Sequence, residues 1–133
     1  MGAGKTKVIL AVALVIVATL SLVLGPRLGT IAHAGAYRAT LSIEYGQETD
    51  QFQGNLDTAG ICERGRVVSV YKARPGSDRL LGRDKTDRRG DYAVGNPAGL
   101  TGRFYADTRV SLRGDGDHLC KGDRSESIKV TEP

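Results

Sequence analysis

The chain has 133 residues, 40% of them apolar and 26% charged, with a net charge of +4, which bounds it to one ordinary domain. Lys5, Lys7 and Arg27 supply three of the 19 basic residues, so from Gly35 onward 16 basic residues meet 15 acidic ones. Interspersed charges of near-equal number make no basic patch, and two phenylalanines, five tyrosines and no tryptophan make no stacking platform, so nucleic acid is excluded as a partner.

In chain order, Lys5 and Lys7 precede a predominantly apolar, uncharged run over residues 8–24, ended by Gly25 and Pro26. Ala32-His33-Ala34 and Ala34-Gly35-Ala36 then offer the small-x-small pattern of a signal-peptidase site. Together they read as an export signal over residues 1–34, followed by an exported domain over 35–133. The run also reaches the lower edge of a bilayer span. An uncleaved signal anchor is therefore the alternative, with residues 8–24 the only contact with a membrane. Both readings make the rest secreted or held at the extracytoplasmic cell surface. Residues 2–6, "GAGKT", imitate the end of a phosphate-binding loop, but the required earlier glycine and preceding strand are missing.

Beyond residue 36 no stretch keeps a helical period, and short alternating segments recur between Gly, Asp, Asn and Pro clusters. Leu41, Ile43 and Tyr45 share one face, and Phe52, Gly54 and Leu56 another. Cys62 and Cys120 are the only cysteines, 58 residues apart. In an oxidising compartment they are expected to pair, which stabilises by about 4 kcal/mol on the chain-entropy model. With His118 as the one exported histidine, they do not complete a structural zinc site.

"RVVSVYK", residues 66–72, is apolar on both faces in its middle and is expected to lie central in a sheet. Residues 79–86 make a poorer strand, and Tyr92 and Val94 begin another. Residues 103–113, "RFYADTRVSLR", alternate most clearly. They are expected to turn Phe104, Ala106, Thr108, Val110 and Leu112 inward, and Arg103, Tyr105, Asp107, Arg109 and Arg113 to water. Ile128 and Val130 point inward from a last strand over 127–131. About seven short strands make an all-β, single β-sandwich.

Gly65, Val67, Val68 and Val70, then Thr86, Asp87, Gly90 and Tyr92, then Gly102, Phe104 and Tyr105 resemble the transthyretin-like, or carboxypeptidase-regulatory-like, β-sandwich family. The resemblance spans about residues 52–112. It implies a seven-stranded Greek-key sandwich and an accessory or surface role without catalysis. Enzymes of that fold group need histidines that this chain lacks. Hydroxyisourate hydrolases also end in Tyr-Arg-Gly-Ser, where this chain ends Val130-Thr131-Glu132-Pro133. Intradiol dioxygenases bind iron through two tyrosines and two histidines. Here Tyr37, Tyr45, Tyr71, Tyr92 and Tyr105 are present without the histidines.

Two Arg-Gly-Asp tripeptides stand at Arg89-Gly90-Asp91 and Arg113-Gly114-Asp115. The first is expected to be a β-turn rather than an adhesion signal. Asp87 accepts a backbone N–H two residues on, Gly90 supplies positive φ, and Tyr92 re-enters the core. In the loop over 115–123, Asp115, Asp117 and Asp123 near His118 are weak calcium candidates, a fragment of the usual oxygen-rich loop. No catalytic residue and no cofactor is expected. The expected function is a non-catalytic secreted or cell-surface module for protein or polysaccharide interaction or structural support. Its candidate contact face is Arg103, Tyr105, Asp107, Arg109 and Arg113, unless that face is merely solvated. The alternative is a small-ligand or calcium carrier using the 115–123 loop.

Overall fold

The computed structural model describes residues 35–132; the export segment and residues 2–6 lie outside the described residues. One sheet takes β2 (Thr40–Leu41), β3 (Glu44–Gly46), β4 (Gln51–Asp57) and β7 (Asp91–Gly95). A second takes β5 (Val67–Lys72), β6 (Arg79–Lys85), β8 (Gly102–Thr108), β11 (Asp123–Arg124) and β12 (Ile128–Val130). A small third sheet, in the order β1 (Gly35–Tyr37), β10 (His118–Cys120), β9 (Ser111–Arg113), was not expected. The helical turn α1 (Gly60–Glu63) carries Cys62.

Alternation in the strands builds the core. Leu41, Phe52, Leu56, Tyr92 and Val94 of the first sheet meet Val68, Val70, Phe104, Ala106 and Val130 of the second in one buried cluster. The Phe52 and Phe104 rings lie 4.6 Å apart across it. The described residues are therefore mostly β, consistent with an all-β sandwich, with two sheets packed over a shared apolar layer.

Two sheet edges are interrupted, and a serine holds each break. β2 and β3 follow one another along β4, with Ser42 between them. The Ser42 N–H donates to the Asn55 carbonyl at 3.0 Å, and its hydroxyl accepts the Asn55 N–H at 2.9 Å. β11 and β12 likewise follow one another along β8. Between them the Ser125 N–H donates to the Ala106 carbonyl at 2.9 Å, and its hydroxyl accepts the Ala106 N–H at 2.8 Å. Each hydroxyl stands in for a backbone acceptor, so the edge breaks without orphaning a buried donor. A broken edge is also a poor template for a stray strand.

The turn after β6 forms as the residue types dictate. Asp87 Oδ1 accepts the N–H groups of Arg89 at 2.7 Å and Asp91 at 3.1 Å. Gly90 has φ +81°, and a Cβ there would overlap the Leu56 carbonyl oxygen. Tyr92 then crosses over Gly54, its cross-strand partner, and donates to the Ser42 carbonyl at 2.6 Å. Any side chain at Gly54 would collide with that carbonyl.

The expected strand over 103–113 is corrected. It ends as β8 at Thr108, and residues 111–113 join the third sheet as β9. Val110 and Leu112, expected inward, are 60% and 55% exposed. The cause is Arg66, whose Nη2 binds the Arg109 carbonyl at 2.7 Å and draws that backbone out of the ladder.

Candidate functional site

β5 lies between β6 and β8, so both of its backbone edges are spent on ladder bonds. Its outward residues Val67, Ser69 and Tyr71 floor a groove of about 400 Å³, completed by Arg83 of β6, Asp107 of β8 and the segment 109–113. Arg83 Nε donates to Ser69 Oγ at 3.3 Å. The Tyr71 ring stacks on Tyr105 at 5.4 Å and 19°, Arg124 covers Tyr105 at 4.5 Å from its centroid, and the Tyr105 hydroxyl donates to Asp78 at 2.6 Å. That bond, and then burial, raises the Tyr105 phenol above its ordinary range. The same bond, followed by the Arg74 N–H, holds Asp78 below the usual carboxylate range.

Arg66 anchors one end of the groove from beneath. It is 2% exposed, and its guanidinium donates to three backbone carbonyls: Arg109 at 2.7 Å, Lys121 at 3.0 Å and Cys62 at 3.4 Å. The Cys62–Cys120 disulfide, with Cα atoms 5.6 Å apart, closes the same junction between α1 and β10. Burial, and secondarily the charge of Arg113, lowers the Arg66 pKa.

The charge of the groove is unbalanced. Arg66, Arg83, Arg109 and Arg113 line it against one carboxylate, Asp107. Among the described residues the one ion pair within 4.0 Å joins that aspartate to Arg124, at 3.3 Å. Arg113 Nη2 donates to the Arg64 carbonyl at 3.1 Å. Its Nε, with Ser111 Oγ and His118 Nδ1, is buried without a hydrogen-bond partner among the described residues. Three such atoms on two paired strands are unusual, because buried polar groups are nearly always satisfied.

The candidate contact face is thereby partly regrouped. Asp107, Arg109 and Arg113 line the groove, while Arg103 is exposed at the far end of β8 beside Lys129. Tyr105, expected in water, is 7% exposed, because Tyr71, Arg124 and Asp78 enclose it. Val67, Ser69, Tyr71, Arg83 and Ser111 were not among the contact residues expected from the sequence. The outward parity of 67, 69 and 71 was the available signal, hidden by reading β5 as apolar on both faces.

Asp115, Asp117 and Asp123 do not converge: among the described residues no three His, Cys, Asp or Glu side chains form a metal-binding group. Asp123 instead accepts the Leu41 N–H at 2.8 Å. The first Arg-Gly-Asp is the turn already described, where Asp91 accepts from Asn55 Nδ2 at 2.8 Å. In the second, Gly114 and Asp115 both have positive φ, and the Asp117 N–H closes a turn on the Gly114 carbonyl at 2.7 Å.

A larger cleft of about 660 Å³ is lined by Glu44, Asp84, Asp87, Asp91 and Lys85 among others. Its carboxylates serve the fold. Asp84 takes the Lys85 and Ala93 N–H groups, Asp87 and Asp91 hold the turn, and Glu44 accepts from Gln53. The groove over β5, with donors to spare, is the better candidate. No protein-family model matches the chain, and neither a curated protein nor a solved structure is significantly similar to it.

Proposed function

We propose that this chain is an exported, non-catalytic β-sandwich module that binds an extracellular polysaccharide or protein through the groove over β5, β6 and β8. The observation that carries the reading is the set of arginines around that groove, facing one carboxylate already engaged by Arg124. Its floor mixes exposed Val67 with a stacked tyrosine and a serine, a composition suited to holding a polar partner. Among the described residues neither groove serine is hydrogen-bonded to a base: Ser69 Oγ receives Arg83, and Ser111 Oγ has no hydrogen-bond partner. A nucleophile needs such a base.

The bridged cysteines are compatible with an oxidising compartment, which agrees with the export signal read in the sequence. The proposed fold reading is a seven-stranded Greek key in the two main sheets, with β2 and β3, and β11 and β12, each counted as one interrupted strand and the small sheet of β1, β9 and β10 standing outside the seven. The transthyretin-like resemblance belongs to the same proposal.

Localisation and retention test it together. Protease added to intact expressing cells is expected to cut the chain, or else the chain appears in the medium. The charge-reversed variant R83E/R109E is expected to lose retention on extracellular polymer that the parent binds. A chain protected in the cytoplasm with two free thiols overturns the export half. Unchanged retention of R83E/R109E overturns the groove.

A further inference from the structure

Resting on that reading of the groove, we infer that the end formed by residues 109–113 is an oxyanion site for an acidic sugar. Arg109, Arg113 Nε and Ser111 Oγ receive the carboxylate, sulfate or phosphate ester of the sugar. Its ring lies along Val67 and Tyr71.

Hydrogen-bonding capacity at this end of the groove is unspent. Ser111 Oγ and Arg113 Nε are shielded from solvent and have no hydrogen-bond partner among the described residues. Both residues line the groove, two positions apart on β9, so their side chains leave the same face of the strand. A hydroxyl and a guanidinium N–H on one face are a donor pair for one oxyanion, and guanidinium–oxyanion bonds are among the strongest hydrogen bonds in proteins.

Charge favours an anion at the same end. The Arg66 guanidinium is buried beneath this end and bonded only to neutral carbonyls. Among the described residues no carboxylate lies within ion-pair distance of Arg66, Arg109 or Arg113. A buried cation without a counter-charge leaves a positive potential at the mouth above it. An anion bound at Arg113 and Arg109 offsets that potential.

The sheet geometry of the floor favours a sugar over an acidic peptide. Extended peptides are commonly held by adding a strand to a free sheet edge. The floor here is the central strand β5, bonded to β6 on one side and β8 on the other, so along the floor a ligand meets side chains alone, and only β9, at the edge of its sheet, has a backbone edge near the groove. The half-buried Tyr71 ring and exposed Val67 offer apolar surface to a sugar ring. A groove of about 400 Å³ lies at the small end of ligand sites and has room for a short sugar segment.

The test is calorimetric titration of the full chain with four probes: a glucuronate-containing oligosaccharide, a neutral oligosaccharide of equal length, a polyglutamate peptide and inorganic sulfate. The acidic oligosaccharide is expected to bind at least about tenfold more tightly than the neutral one and to weaken as salt is raised. Sulfate is expected to compete. R109Q and S111A are each expected to lose about tenfold or more in affinity with an unchanged melting temperature. R113Q is less decisive, because Arg113 also binds the Arg64 carbonyl. Equal affinity for acidic and neutral oligosaccharides, or unaffected R109Q and S111A, overturns the oxyanion site and leaves the groove standing. Binding of polyglutamate alone replaces the sugar with an acidic protein and also overturns the inference. Binding of none of the four overturns it too, whereas the broader reading of the groove is tested separately by the R83E/R109E retention result.

Discussion

Replacing Arg66 by methionine keeps an apolar stem of similar length and deletes the guanidinium. Two bonds go with it at full strength, to the carbonyls of Arg109 at 2.7 Å and Lys121 at 3.0 Å. Each is worth about 1.5–3 kcal/mol, because the donor is charged. The third, to Cys62 at 3.4 Å, is long and adds little. Against the loss stands the desolvation cost that a buried guanidinium carries and methionine does not. The net is a destabilisation of about 3 kcal/mol, a large part of the stability of a domain this size. At about 4–8 °C per kcal/mol, the melting temperature falls by roughly 12 °C or more. Urea denaturation and a thermal melt, both with the disulfide intact, measure it. A variant within about 1 kcal/mol of the parent refutes the assignment of Arg66 as the clamp of this junction.

Gly90→Ala is expected to cost at least about 2 kcal/mol by denaturation, from positive φ and from the collision with the Leu56 carbonyl; a neutral result removes the turn from the account. Reducing Cys62–Cys120 across its 58-residue separation is expected to cost about 4 kcal/mol. A melt unchanged by reductant, or thiols that titrate before reduction, contradicts it. Burial, and secondarily the charge of Glu44, raises the Tyr92 phenol well above its ordinary value. Its contribution is therefore fully present below about pH 10 and is lost as pH rises through the folded-state value. Y92F, compared with the parent in urea midpoints across that alkaline range, is expected to flatten the loss; equal slopes reject the coupling.

Much of the sandwich was legible because it follows from parity. Phe52 with Leu56, and Val68 with Val70, alternate as core-facing residues must, and the Asp87-to-Gly90 turn uses residue types with local reasons. The disulfide followed from two cysteines downstream of an expected export signal. What escaped depends on partners distant in sequence. The end of β8 at Thr108 is caused by a guanidinium 43 residues before the carbonyl it holds. Burial of Tyr105 needs Asp78 and Arg124, from either side of it in the chain. The parallel pairing of β1 with β10 joins the ends of the domain, and no local pattern announces it. The groove escaped for the same reason. Its floor is the wet side of β5, and it becomes a concave surface only when Arg83, Asp107 and the 109–113 segment are brought around it.

Amide chemical-shift mapping of the full, oxidised chain during titration with the glucuronate-containing oligosaccharide tests the groove as the binding surface most directly. The account predicts saturable shifts concentrated at Ser69, Tyr71, Asp107, Arg109, Ser111 and Arg113, abolished in R83E/R109E. Shifts concentrated instead at Glu44, Asp84 and Asp91 in the opposite cleft, or undiminished in the charge-reversed variant, contradict it.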